Sequence, residues 1–486
     1  MKKYSLVFLF FMLLSISCKK DFLDVKPQGN LTSALFPQSA ADALLAVNAV
    51  YGSMHDWNIY SGGYPIADLL SDDAEKGSNP GDQSHLNLYK SYQFTPSIEE
   101  LPRWYAALYK GIKFANVVNE KVSIIEMDVA LRTRYIAEAR FFRAMFYFNL
   151  VRAFGDVPKV INLEAERKMP RSPKQEIYNE IIIPDLEYAI VNLPSKNSYG
   201  ADDIGRASKG AAQSLMAKVY LYLADYTKAE QYAMDVINTN DYALMPQFTD
   251  AFSVAGQYGS ESIFEVGARE FENTAQGGNQ YANTQGVRGA PNKGWGFNRP
   301  SVDLANFFEP GDARNTGTII SLGDIIDGVL IVGDISTPDI TYSDPPTNSI
   351  IKEKETYNRK VWTPGTNTST EWGHNIRIIR YAEVLLIASE ALVRNGNSGQ
   401  ALIYINQIRQ RAGLGALATV DLDVVYKERR AEMAMESDRF YDLLRTGRAA
   451  QVLGPLGFVA GKNELFPIPQ SEIDLSEGAL TQNPGW

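Results

Sequence analysis

Two stretches of this chain, SKGAAQSLMAKVYLYLADYTKAEQYAMDVINT (208–239) and RYAEVLLIASEALVRNGNSGQALIYINQIRQRAG (380–413), follow one plan. Each reads as a helix ending near a small polar turn, followed by a helix that opens on a Lys-Ala or Gln-Ala step. Small residues, Ala217 and Ala388 in the first helices and Ala229 and Ala401 in the second, stand where two helices would cross closely. The unit is about 34 residues long, which is tetratricopeptide length, and such a unit buries its apolar face only by stacking on neighbours. The expected fold class is therefore mainly α, a tetratricopeptide-like scaffold of helical hairpins in a single large body.

Helical periodicity runs from residue 39 to about 250. Ser39 is a candidate cap for AADALLAVNAVYGSM, with Leu44, Val47 and Tyr51 on one face. Trp104, Leu108, Ile112 and Val118 mark a second helix, on which Trp104 is expected in the core. Tyr135, Ala139, Phe142, Phe146 and Leu150 line a third, ended by Gly155 and Pro158. The run from Ser172 to Pro194 opens at a Ser-Pro step, and Pro184 is expected to kink it. The pattern then stops. Residues 255–375 hold 16 of the 37 glycines and three of the six tryptophans, with short β-like runs such as SIFEVGA and DGVLIVGDI. A long irregular insertion of this kind is usually a functional surface.

The N-terminus carries a different message. Lys2 and Lys3 precede an apolar run of thirteen residues, Tyr4–Ile16, too short for a membrane span, which needs about 20, and suited to a signal-peptide core. Small residues Ser15 and Ser17 then flank Cys18, the one cysteine of the chain. This order resembles a bacterial lipoprotein signal, which implies cleavage before Cys18 and lipid attached to it. The expected division is a signal peptide at 1–17, a lipid-anchored tether at 18–38, a helical region at 39–255 and a C-terminal region at 256–486, whose loop-rich 256–375 forms a ligand face.

Composition narrows the function. The formal charge of −10 becomes −12 once Lys2 and Lys3 are removed, a poor balance for nucleic acid, where affinity comes from neutralising phosphates. There is no H-E-x-x-H, G-x-S-x-G or G-x-x-x-x-G-K-[ST] motif, and His55, His85 and His374 show no metal-ligand spacing. GLGALA (413–418) follows a helix and reads as a helix stop. SDDAEKG (71–77) reads as a solvated acidic loop. No cofactor, metal or catalytic residue is expected. The aromatics of the irregular stretches carry the signal instead: Trp57, Tyr60 and Tyr64, then Tyr89, Tyr281, Trp295, Trp362 and Trp372. Flat rings pack on the C–H faces of sugars, and neighbouring amides and charges bind hydroxyls.

Four segments, taken in order, resemble the SusD/RagB family of outer-membrane nutrient-binding lipoproteins: AEARFFRAMFYFNLVRAFGDVP (137–158), RYAEVLLIASEAL with ALIYINQIRQRAGL, ERRAEMAMESDRFYDLLRTGR (428–448) and the terminal LFPIPQSEIDLSEGALTQNPGW. Within them Glu436 with Arg439, and Asp442 with Arg445, have the i,i+3 spacing that pairs charges on a helix. Arg140 and Arg143 are expected to serve the scaffold. The resemblance implies a non-enzymatic, lipid-anchored protein of the outer membrane facing the cell surface. It implies a SusC-like TonB-dependent barrel as partner and an oligosaccharide ligand. A peptide receptor on the same fold and a surface glycosidase are the competing readings.

Overall fold

The computed structural model describes residues 36–164, 168–269, 280–292, 294–334, 339–343, 350–363 and 373–486, with the backbone alone described at 339–343 and 350–354. Cys18 and the segment around it lie outside the described residues, as does Trp372. Helix α1 spans Ala40–Ser53. Its Ser39 cap accepts from the Asp42 N–H, and the Asp42 carboxylate accepts from the Ser39 N–H. This reciprocal arrangement fills two backbone donors that the helix itself leaves free. Helices α2 (Glu100–Lys121) and α3 (Val129–Phe154) pack side by side. They approach closely at Gly111, where a Cβ would lie 2.5 Å from the Phe146 ring. Trp104 is 3% exposed, in the core as expected.

Before α4 (Ile183–Asn192) the chain widens into a π-helical turn, Tyr178–Ile182. Pro184 explains it: without an N–H, and with its ring against the preceding turn, it cannot sit in a regular α-helix interior. The expected kink takes the form of this wide turn. The two hairpins follow the sequence closely. Helices α5 (Lys209–Tyr222) and α6 (Tyr226–Thr239) turn through Ala224 at φ +56°. After the short α7 (Gln280–Gln285), helices α8 (Tyr381–Arg394) and α9 (Ser398–Arg411) turn through Gly396 at φ +83°. Helix α6 packs on α8, and Ala217, Ala229, Ala388 and Ala401 are all fully buried, so the hairpins do stack through small residues. Helices α10 (Leu422–Met433) and α11 (Arg439–Arg445) close the body.

One apolar cluster extends from Ala43 to Leu480, so the N- and C-terminal halves share a core. Burying each large side chain contributes roughly 1.5–3 kcal/mol. Strands are few and short, and among the described residues they form two-stranded antiparallel pairs. Strand β1 (Ala74–Gly77) pairs with β3 (Phe297–Pro300), and β2 (Ser262–Val266) pairs with the last strand, Ile376–Arg380, which closes the insertion onto the helical body. Within the insertion Ile319–Ser321 pairs with Thr356–Asn358, and Ile325–Ile326 with Val329–Leu330.

Charged side chains tie the C-terminal helices to this frame, partly against expectation. Asp442 and Arg445 pair at 2.8 Å, as their i,i+3 spacing suggests, and Arg143 serves the scaffold by binding Asp185 at 2.7 Å. Glu436 and Arg439 do not pair. Helix α10 ends at Met433, and Met435 and Ser437 at φ +65° and +64° turn the chain before α11, so Glu436 meets Arg380 at 2.7 Å and Arg439 meets Asp72 at 2.8 Å. SDDAEKG is likewise not a solvated loop: Asp73 is fully buried and bound by Arg430 at 2.8 Å, and Lys76 is 5% exposed.

Candidate functional site

Two distant segments supply the site. The first leaves α1 through a turn at Trp57–Ile59, where the Asp56 side chain accepts from the Asn58 N–H at 3.0 Å and from Lys110 Nζ at 3.0 Å. It continues through Gly62 and Gly63, at φ +82° and +97°. These glycines are required by crowding as well as by backbone. A Cβ on Gly63 would lie 2.0 Å from the Trp57 indole nitrogen, and one on Gly62 would lie 2.5 Å from Glu100 Cβ. The second segment runs from α7 to β3. The Trp295 N–H donates to the Asn283 carbonyl at 2.9 Å, and the Gly296 N–H to the Gly286 carbonyl at 3.1 Å.

Their rings meet. Trp57 lies 5.2 Å from Tyr64, edge to face, and 5.8 Å from Trp295. Tyr64 stands 5.0 Å from the buried Phe297, and Tyr60 lies 5.3 Å from Tyr281. Trp57, Tyr60, Tyr64, Tyr281 and Trp295 are each partly exposed. Five of the eight aromatics expected at a ligand site are thus brought into two adjoining groups. Tyr60 and Tyr281 also line a cavity of about 130 Å³ that reaches Met145, Leu215 and Lys218. Burial holds the Tyr60 hydroxyl well above the usual phenol range and raises Tyr64 to about 12, so both stay neutral hydrogen-bonding groups.

Polar groups brace the rings from behind. Asn298, at φ +54° and 1% exposed, donates from Nδ2 to Asp68 at 3.0 Å and to Gln285 at 2.8 Å. Asn358 Nδ2 donates to the same Gln285 oxygen at 2.9 Å. The Ser437 N–H donates to Asp68 at 2.8 Å, so one buried carboxylate joins the first segment, β3 and the start of α11. Burial, the largest cause, raises Asp68 to about 7. Lys76 Nζ donates to the carbonyls of Gly77, Asn79 and Asp82 at 2.8, 2.9 and 2.8 Å, and lies 5.4 Å from the Phe297 ring. Burial lowers Lys76 to about 8.

The remaining expected ring positions fall elsewhere. Tyr89 is fully buried, with its hydroxyl 3.1 Å from Glu100 Oε2, so it has no face to offer a ligand. Trp362 is 8% exposed, packs with Val287, Ile320 and Tyr357 in a separate small core, and donates from Nε1 to Asp327 at 2.8 Å. Both are structural. One grouping escaped the sequence reading: His85, Glu99 and Glu100 bring ligand-type atoms within 4.8 Å of one another. Among the described residues, these are the ones that could hold a cation. They are already engaged, His85 Nε2 with Glu100 at 2.7 Å and Glu99 with Arg103. Spacing in the chain gave no sign of it, because His85 and Glu100 meet only after folding.

Comparison with known proteins supplies the context. Residues 260–457 match the model of the SusD family, and residues 21–221 match a second model described as starch-binding, associating with the outer membrane. A SusD-like protein P2 of Formosa agariphila is 28% identical over 518 residues, covering 100% of both chains. A solved laminarin binding SusD-like protein superposes with a TM-score of 0.77 at 29% identity, covering 93% of this chain and 100% of its own. A surface glycan-binding protein A from Bacteroides fluxus gives a TM-score of 0.77 at 26% identity, with the same coverage.

Proposed function

Since the chain belongs to the SusD/RagB family, we propose that it is a glycan-binding lipoprotein of the outer membrane, and that its ligand lies on Trp57, Tyr60, Tyr64, Tyr281 and Trp295. The observation that carries this reading is the convergence of residues 57–64 with 281–297, which puts partly exposed rings in mutual contact on a helical body. A ring that only pinned a loop would be buried, as Tyr89 and Trp362 are. The relatives that bind laminarin and surface glycans make a laminarin-type glucan the first ligand to test.

The reading has four parts. Cys18 is acylated and holds the protein at the cell surface, where two or more acyl chains make attachment lasting. The rings capture an oligosaccharide without cleaving it. A SusC-like TonB-dependent barrel receives it. Affinity is modest: at about 0.5–1.5 kcal/mol per ring, three rings give roughly 1.5–4.5 kcal/mol, and hydroxyl hydrogen bonds add to this against the ordering of a flexible glycan. A Kd in the micromolar to millimolar range follows, about −4 to −8 kcal/mol.

Calorimetric titration of the full chain with laminarin and laminarihexaose tests the ligand. Binding should weaken in the folded fraction of Trp57→Ala and Trp295→Ala, and it should change little with ionic strength, since a neutral sugar has no charge to screen. Release of reducing ends would turn the reading to a glycosidase, and binding of peptides alone would turn it to a peptide receptor. Mass spectrometry of the native N-terminus tests the anchor, and gentle detergent extraction with affinity purification tests the barrel partner.

A further inference from the structure

We infer that the chain carries a second carbohydrate pocket, separate from the ring groups, where α1 meets β2. The cavity there measures about 230 Å³. Its floor is apolar and aromatic: Phe142 is fully buried and Phe264 3% exposed, with ring centroids 5.7 Å apart, and Tyr51 stands edge-on to Phe142 at 4.6 Å. Its rim is polar and open to solvent, with Asn48, His55 and Asp202 all exposed. A concave site with an apolar floor and a few convergent polar groups is the usual form of a small-molecule site.

Tyr258 forms one wall, and the chain is shaped to keep it there. A Cβ on Gly205 would lie 2.8 Å from the Tyr258 ring, and one on Gly267 would lie 2.1 Å from its hydroxyl. The Tyr258 N–H donates to Glu265 Oε1 at 2.5 Å. Glu265 lines the pocket at 2% exposure, and its Oε2 takes no hydrogen bond among the described residues, with Arg377 Nε at 3.6 Å.

Charge selects the ligand class. The Arg206 guanidinium is spent on Asp203 at 2.7 Å, Glu138 at 2.9 Å and Asn48 at 3.1 Å. The other charges lining the pocket are the Asp202 and Glu265 carboxylates. An anion is therefore disfavoured, while a neutral ring that lays C–H groups on the floor and donates hydroxyls to the rim fits both surfaces. The pocket suits one sugar unit. Met54 lines both this pocket and the cavity behind Tyr60 and Tyr281, so the two sites flank the exit of α1. The choice of a sugar rests on the glycan-binding reading; the pocket itself does not.

The test uses the full chain in detergent and saturation-transfer NMR with glucose, galactose, mannose and xylose. The double variant Trp57→Ala/Trp295→Ala removes the ring groups, and Asn48→Trp or Ile204→Trp, both at exposed rim positions, fills the pocket mouth. At least one sugar should still receive saturation from the double variant, with a millimolar Kd, and either mouth-filling variant should weaken it at least tenfold. Laminarihexaose binding to the ring groups should survive Asn48→Trp, which separates the two sites. No saturation from any of the four sugars in the double variant overturns the inference. So does unchanged binding in a mouth-filling variant that retains wild-type thermal unfolding.

Discussion

Gly63→Ala should damage ligand binding as well as the fold, whereas the same change at an uncrowded glycine should damage the fold alone. Gly63 has φ +97°, and its missing Cβ faces the Trp57 indole at 2.0 Å, well inside the closest approach of two carbon or nitrogen atoms. An alanine there costs about 1–2 kcal/mol for the left-handed backbone alone. It must also push the indole aside by about an ångström to restore van der Waals contact. Trp57 touches both Tyr64 and Trp295, so its displacement removes one or two ring contacts from the ligand face. At about 0.5–1.5 kcal/mol per ring, the loss is about 0.5–3 kcal/mol, or roughly twofold to 150-fold in Kd. Gly323→Ala is the control: its φ is +91° and nothing lies within 4 Å of the added Cβ. It pays the same backbone strain with no clash. Titration with laminarihexaose, beside urea unfolding of each variant, reads the two effects apart. Wild-type affinity in Gly63→Ala, or an equal loss of affinity in Gly323→Ala, would refute the reasoning.

Trp362→Ala should behave in the opposite way to the ring-group variants. It should lower stability by about 3–5 kcal/mol, as for a buried aromatic, in denaturant unfolding of the insertion, and leave affinity at Trp57 and Trp295 unchanged in the folded fraction. Tyr89→Phe removes one buried hydrogen bond to Glu100 and should cost about 0.5–1.5 kcal/mol in urea unfolding without altering laminarihexaose titration. Asp68 should make stability fall as pH rises: its folded value of about 7 exceeds the unfolded 3.8, so its contribution is fully present below pH 3.8 and is lost as pH climbs to 7. The expected slope is about 1.4 kcal/mol per pH unit across that window, and comparing urea unfolding of wild type and Asp68→Asn should show the difference between them carrying it.

Much of the scaffold is legible in the sequence, because helical features are local. A cap, an apolar stripe and a stopping glycine lie within one turn of the residues they govern, as at Ser39 and Gly155. Ala217, Ala229, Ala388 and Ala401 are legible for a related reason, since a small residue in an apolar stripe has few uses other than close packing. The ligand face is legible only as residue types. Nothing near Trp57 names Trp295 as its partner, and exposure is set by what packs above a ring. Tyr89 sits in a stretch that looks irregular, yet α2 brings Glu100 to its hydroxyl. The acidic run at 71–77 fails as a reading for the same reason: its cations, Arg430 and Arg439, come from α10 and α11 at the far end of the chain. Glu436 fails for a smaller one: α10 stops at Met433, and the left-handed Met435 and Ser437 on either side of Glu436 take it off the helix that carries Arg439.

Polar bracing decides where the rings stand. Trp57, Tyr64 and Trp295 are only partly exposed, so changing one of them also removes buried area from the folded chain. The segments that present them are held further by polar groups: Asn298 and Ser437 on Asp68, Gln285 between Asn298 and Asn358, and Lys76 on three carbonyls. Each of these groups is directional, so together they set where the rings stand more tightly than apolar contact alone. Removing one partner leaves a buried donor or acceptor unfilled, at about 1–3 kcal/mol. Asn298→Ala should therefore loosen the whole ring face and weaken every sugar alike, whereas Trp295→Ala should change which sugars bind. A panel of neutral oligosaccharides titrated against both variants distinguishes a bracing residue from a contacting one, and equal selectivity profiles for the two would show that the rings and their brace act as one unit.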